Sequence, residues 1–267
     1  MSDGRPQPNC IAIEERDGIA IVAFNRPDVR NAIDDATRAE FADVIEWVAR
    51  EDRIRAMVLT GRGKAFCAGG DIASMQKRLE APAGRIAVNG WQRQRRTHHA
   101  VAALHELAKP TVAAVNGAAA GLGCDIALCC DFIVASNQYA SFVMSYVMRG
   151  LIPDGGGLYF LPRRVGLQRA KEMIFSARKV DAVEALAIGL ADELAEPDKL
   201  IDAAVDLAKR MTVGSADAVA LAKTILDQTF EHSAEEIFAL GAQAQAIAYT
   251  TDAHRQAVDD FLNKRSK

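Results

Sequence analysis

Short apolar runs interrupted by glycine turns fill the first part of the chain, and longer runs with helical period fill the rest. Residues 11–24 read as two runs on either side of Asp17-Gly18, a pair suited to a tight turn, which predicts a β-hairpin ended by Asn25-Arg26-Pro27. From Asp34 or Asp35, the apolar positions Ala36, Phe41, Val44, Ile45 and Val48 recur at helical spacing behind an aspartate placed to cap the start. Residues 56–60 predict a strand running into the turn Gly61-Arg62-Gly63, and 111–115 a second that stops at Asn116-Gly117. Residues 126–130 read as helix, while 132–135 and the region around Phe142 supply more short strands. The polar stretch 78–95, with Pro82, Gly84 and Gly90, reads as a mobile connector that leads, through Arg93, Arg95 and Arg96, into a helix along Val101, Leu104 and Leu107. Beyond Gly157 the period is near 3.6 over 166–177, 181–188, 198–211 and 215–230. Strands alternating with helices, followed by helices alone, predict an α/β core with a helical C-terminal extension. A strand–glycine–aspartate unit recurs at 56–71 and 111–125, which suggests stacked β-β-α turns.

Composition narrows the setting. With 267 residues, half of them apolar, the chain can bury a large core. A net charge of −3 gives no global attraction to nucleic acid or to anionic membranes. The five cysteines are odd in number and show no C-x-x-C spacing; Cys129 and Cys130 lie in an apolar run. Buried thiols in a reducing compartment fit that usage better than disulfides or a metal site. Residues 1–9 lack the charge-then-apolar pattern of a secretory signal, and no apolar run approaches the ~20 residues of a membrane span. A soluble, cytoplasmic protein is expected.

Candidate chemistry concentrates between Lys109 and Gly157. An apolar strand enters Gly121-Leu122-Gly123, and the chain later returns to Asp154-Gly155-Gly156-Gly157. A helix that starts at a glycine turn leaves backbone N–H groups free, and these suit a ligand atom that is or becomes negative. Gly121-x-Gly123 is not a dinucleotide fingerprint, because Ile126 stands at the third small position and no acid follows at the required distance. Gly61-Arg62-Gly63-Lys64 is not a phosphate loop, since Val58 and Ala65 stand where that loop needs glycine and Ser or Thr. The five histidines show no metal-ligand spacing, and no metal is expected. Arg93, Arg95 and Arg96 could meet a phosphate, although a solvated helix face fits them better. Asp71 fits a helix cap; for Asp154 a cap and a catalytic role are open alike.

Lys64-Ala65-Phe66-Cys67-Ala68-Gly69-Gly70-Asp71-Ile72, Lys109–Gly117, Gly121-Leu122-Gly123-Cys124-Asp125 and Gly150-Leu151-Ile152-Pro153-Asp154-Gly155-Gly156 follow in order. Together they resemble the crotonase, or enoyl-CoA hydratase/isomerase, superfamily across nearly the whole chain. The resemblance implies a spiral of β-β-α units over 1–200 that binds acyl-CoA, and a helical region over 201–267 that builds homotrimers, often paired as hexamers. It implies coenzyme A as part of the substrate, with no separate cofactor. It implies an oxyanion hole made by the N–H groups of Ala68 and Leu122, with Ala68, Gly69, Gly70, Asp71 and Ile72 lining the CoA pocket and Arg30 near the CoA phosphates. The two glutamates of hydratases fall on Asp125 and on Tyr146 (or Ser145), so the second carboxylate is missing. Asp154 stands where isomerases of the superfamily carry an acid/base aspartate, and the stretch 142–154 is similar to the 1,2-epoxyphenylacetyl-CoA isomerase branch. The resemblance thus favours an enoyl-CoA isomerase with Asp154 as proton shuttle, Asp125 assisting and Tyr146 in the pocket. The alternatives are a hydratase or dehydratase, and a non-catalytic acyl-CoA-binding homologue.

Overall fold

The computed structural model describes residues 5–265. β1 (Ile11–Arg16) pairs antiparallel with β2 (Ile19–Phe24), with Ile11 opposite Phe24 and Arg16 opposite Ile19. Asp17 and Gly18 between them both take positive φ, as a two-residue hairpin turn requires. α1 (Asp35–Arg50) starts at Asp34, whose side chain accepts the Thr37 N–H at 2.8 Å. β3 (Ala56–Gly61) lies parallel to β2, and β4 (Ala65–Cys67) departs into a second sheet. Asp71 caps α2 (Ile72–Leu79) by accepting the Ser74 N–H at 2.9 Å. Arg26 ties the two caps together, 3.1 Å from Asp34 and 3.4 Å from Asp71.

The expected connector over 78–95 shrinks to residues 80–82, and the rest is helix. α3 spans Ala83–His105 and runs beside α1. Gly84 and Gly90 lie inside it with open space around them, so each costs only helix propensity, about 1 kcal/mol. Burial of Val101 and Leu104 anchors the C-terminal half. The polarity of 78–95 reflects a helix whose N-terminal half is largely solvent-facing, with Arg95 over the ring of Trp91.

β5 (Thr111–Val115), β6 (Ala118–Ala120) and α4 (Leu122–Cys129) repeat the pattern, as do β7 (Phe132–Ser136), β8 (Ser141–Val143) and α5 (Gly157–Val165). Then follow α6 (Leu167–Ser176), β9 (Val180–Asp181), α7 (Ala182–Ala187), β10 (Glu193–Ala195) and α8 (Leu200–Met211). One sheet runs β1-β2-β3-β5-β7-β10, parallel beyond the hairpin; the other runs β4-β6-β8-β9, with β9 antiparallel. After the hairpin, the pairs β3/β4, β5/β6 and β7/β8 each give one strand to each sheet before a helix, which is the β-β-α stacking suggested by the repeated strand–glycine–aspartate unit.

The six-stranded sheet is covered on both faces, which is why its strands read as unbroken apolar runs rather than alternating ones. Val22, Phe24, Met57 and Leu59 face the inner core with Phe66, Phe142 and α4. Ile19, Ile21, Val58, Val112 and Val134 face the other way, under Leu200, Ala204, Val205 and Leu207 of α8. The expected C-terminal helical region therefore begins with a core helix. Beyond it, α9 (Ala216–Leu226) and α10 (Ala234–Ala248) bury no residue, and α11 (Asp252–Arg265) follows. Among the described residues, no helix is long and apolar enough to cross a membrane.

Candidate active site

Two chain segments meet at the glycine turns. After β6, Gly121 takes φ +51° and donates its N–H to Val143 O at 2.9 Å. Leu122 then opens α4, and its own N–H carries no partner. On the other side, Ala68 N donates to Arg30 O at 2.9 Å, Ile33 N to Gly69 O at 2.8 Å and Asp71 N to Ile33 O at 3.0 Å. The expected role of Ala68 as a free donor therefore does not fit, because its N–H is spent inside the protein. Gly69, at φ +92°, breaks the alternation of the extended segment, so the N–H left over belongs to Gly70. A Cβ on Gly69 would collide with Ala120 O at 2.5 Å, and would sit 3.4 Å from Leu122 N. The segments approach as closely as glycine permits.

Asn31 holds this arrangement together and passes unnoticed in the sequence. Its buried amide donates to Arg62 O at 2.9 Å and Ala65 O at 2.8 Å and accepts from Arg26 N at 2.9 Å. Its φ of +58° and that of Arg30, +53°, turn the Arg30 carbonyl toward Ala68. The Asn-after-Arg pair at the end of a polar turn was the available signal, since asparagine tolerates the left-handed region.

A cavity of about 360 Å³ opens at the two free amides. Ala68, Gly69, Gly70, Asp71 and Ile72 all line it, as do Leu122 and Tyr146. The Arg30 side chain is exposed and does not line it; the cation that does is Arg149.

Asp125, one turn into α4, is 0 % exposed, and the Tyr146 hydroxyl donates to its Oδ2 at 2.5 Å. Burial pushes its pKa up to about 7, against the opposing pull of Tyr146 and of the Gly157 and Gly155 amides. Both glycines are needed, because a Cβ at either would strike the carboxylate. Desolvation also raises the Tyr146 phenol, which stays a neutral donor.

Asp154 is not a helix cap: α5 starts after Gly156, with no side-chain cap. It lies outside the lining of the 360 Å³ cavity, against the inner face of α3. There Gln94 donates to its Oδ2, and His98 Nε2 stands 4.0 Å away. Its side chain is 27 % exposed, and burial raises its pKa while His98 and Arg93 pull it down. Gly155 links the two carboxylates: a Cβ there would be 2.7 Å from Asp125 Oδ2 and 3.3 Å from the Tyr146 hydroxyl. Each carboxylate also raises the pKa of its neighbours, Asp154 acting on both Asp125 and Tyr146.

A β-β-α spiral with two unpaired amides meeting at a glycine contact, and a buried carboxylate one turn into the helix behind them, fits the crotonase class of protein. The enoyl-CoA hydratase/isomerase family model matches residues 14–267. A short-chain-enoyl-CoA hydratase of Clostridium acetobutylicum is 33% identical over 258 residues, 96% of each chain. A 1,2-epoxyphenylacetyl-CoA isomerase of Escherichia coli K12 is 32% identical over 249 residues, 93% of this chain and 94% of that one. A crystal structure of an enoyl-CoA hydratase/isomerase from Cupriavidus metallidurans CH34 superposes with a TM-score of 0.88 at 34% identity, covering 97% of this chain and 95% of that chain. The chain belongs to the enoyl-CoA hydratase/isomerase family.

Proposed function

We propose that the protein is an enoyl-CoA isomerase, with Asp154 carrying a proton between two carbons of an acyl-CoA. The observation that carries this reading is the contrast between the two carboxylates. Asp125 is sealed from water and engaged by Tyr146, whereas Asp154 is half-buried, raised in pKa and held by Gln94 beside His98. A base that must alternate between charged and neutral forms needs such a setting.

In the forward direction the thioester oxygen accepts hydrogen bonds from Gly70 N and Leu122 N. The Asp154 carboxylate takes a proton from C2 of a 3-enoyl ester, and the electron pair moves into the conjugated enolate. The same carboxyl group then returns the proton at C4, leaving a 2-enoyl ester, so no atom is gained or lost. The two amides, preorganised by the glycine contact, supply several kcal/mol to the enolate oxygen. Ala68–Ile72 would line the coenzyme A side of the cavity, with Arg149 rather than Arg30 nearest as a cation.

The test is Asp154→Asn. Exchange of acyl protons with deuterated solvent should fall by roughly 10²–10⁴-fold, while binding of a saturated CoA ester persists. Undiminished exchange removes Asp154 from the mechanism.

One observation favours a second reading. Asp125, poised near pH 7 beside a phenol that lines the cavity, could serve water addition. Incubation with a 2-enoyl-CoA would then give the 3-hydroxyacyl product, and Asp125→Asn, not Asp154→Asn, would abolish it.

A further inference from the structure

Leu122 brings a side chain to the site as well as an amide. That side chain is buried and forms the common wall of two spaces, the 360 Å³ cavity at the amides and a void of about 10 Å³ behind it. The void is lined by Phe41 of α1, Ala100 and Val101 of α3 and Ile126 of α4, all buried. It has barely the room that one water needs, about 10–15 Å³. Behind Leu122 the cavity therefore meets the packed faces of α1 and α3 and finds no channel.

The leucine also stands beside the carboxylates. A Cβ on Gly155 would lie 2.5 Å from Leu122 Cδ1 and 2.7 Å from Asp125 Oδ2, and Asp154 directly precedes that glycine. A thioester whose oxygen is held by the Leu122 N–H, and whose next carbons meet either carboxylate, runs its acyl group against the Leu122 side chain. The cavity is near the lower end of the about 300–1,000 Å³ of small-molecule sites, and the end of the pantetheine arm must share it. Resting on the acyl-CoA reading above, we propose that the Leu122 side chain is a chain-length stop, so that the preferred substrates are short-chain acyl-CoA esters. Truncation to alanine replaces the isobutyl group by a methyl and joins the void to the cavity. The surroundings relax only in part after such a change, so the space stays open. Its lining is mostly apolar, and each methylene that enters it from water is worth about fourfold in affinity.

Titration calorimetry with two unreactive esters, butanoyl-CoA and octanoyl-CoA, tests this. The unaltered protein should bind butanoyl-CoA more tightly by roughly tenfold or more. Leu122→Ala should bring the two affinities to within about twofold or reverse their order. Leu122→Val, a smaller loss of packing, should move the ratio part of the way, and Leu122→Met, which keeps the volume, should leave it in place. Equal affinities, or tighter binding of octanoyl-CoA, in the unaltered protein overturn the length stop and leave the acyl-CoA reading standing. Binding of neither ester overturns that reading as well. A preference for butanoyl-CoA that survives in both Leu122→Ala and Leu122→Val removes Leu122 from the selection.

Discussion

Asp125 couples the site to the stability of the whole chain. Its folded pKa of about 7 lies above the 3.8 of an unhindered carboxyl, so the folded state binds the proton more tightly than the unfolded one. The stabilisation from the protonated form is complete below about pH 4 and is lost as pH rises through 7. The full swing is on the order of 4 kcal/mol, because each step of one in pKa is worth about 1.4 kcal/mol. Asp125→Asn keeps a carbonyl for the Tyr146 hydroxyl but cannot ionise. Between pH 5 and pH 8 the melting temperature of the unaltered protein should therefore fall relative to that of the variant. Parallel profiles would show that the carboxyl is not held near neutrality. Tyr146→Phe acts in the opposite sense on the acid, since the phenol is a donor that lowers the Asp125 pKa. Without it the carboxyl should stay protonated to higher pH, and the same melting series should show its inflection displaced upward.

At the scale of elements, the glycine run after Asp154 is a packing device as well as a turn. A Cβ on Gly157 would meet Asp125 Oδ1 and the Met144 methyl, and both are fixed inside the core. Gly157→Ala should therefore destabilise by roughly 1–3 kcal/mol, the usual cost of overpacking, read as a shift of the urea midpoint at constant slope. Gly84→Ala on the exposed part of α3 should go the other way, stabilising by about 1 kcal/mol through helix propensity. An unchanged midpoint for both would mean that neither the Asp125 pocket nor α3 is as described. These glycines also mark what could be read in advance. Strand–turn–helix units were visible at 56–71 and 111–125 because buried parallel strands leave solid apolar runs and glycine marks their ends. The N-terminal half of the helix at Ala83–His105 was hidden, because it faces water and Gly84 and Gly90 imitate a loop, whereas its half through Val101 and Leu104 could be read from their spacing. The free amide at Gly70 was hidden for another reason: whether residue 68 or 70 is unpaired depends on Gly69 adopting positive φ and on Asn31 turning a distant carbonyl. No local pattern encodes a contact across that sequence distance. Asp125 and Asp154 were legible as carboxylates beside glycine, but their contrast in burial comes from α3 and Tyr146.

For the molecule as a whole, the spiral leaves one part of the chain without a core of its own. α8 closes the outer face of the six-stranded sheet, and there the burial of apolar side chains stops. The helices beyond it still carry large apolar groups: Leu226 in α9, Phe238 and Ile247 in α10 and Val258 in α11 are all exposed, Phe238 at 75 %. α9 and α10 lie against each other with neither offering a buried residue, so their mutual contact does not satisfy these groups. Apolar side chains spread along three successive helices exceed what an isolated soluble chain usually leaves to water. We propose that copies of the chain cover them in a closed homo-oligomer, a trimer or a pair of trimers. Sedimentation equilibrium of the full chain at micromolar concentration should then give three or six times its 28.8 kDa mass. Burial that depends on association also makes the melting temperature rise with protein concentration. Phe238→Glu places a charge in the covered face, and should lower the sedimenting mass and abolish that concentration dependence, while the spiral core keeps its circular dichroism. A full chain that sediments as a monomer, with a melting temperature indifferent to dilution, refutes the assembly and leaves the exposed apolar side chains without a role.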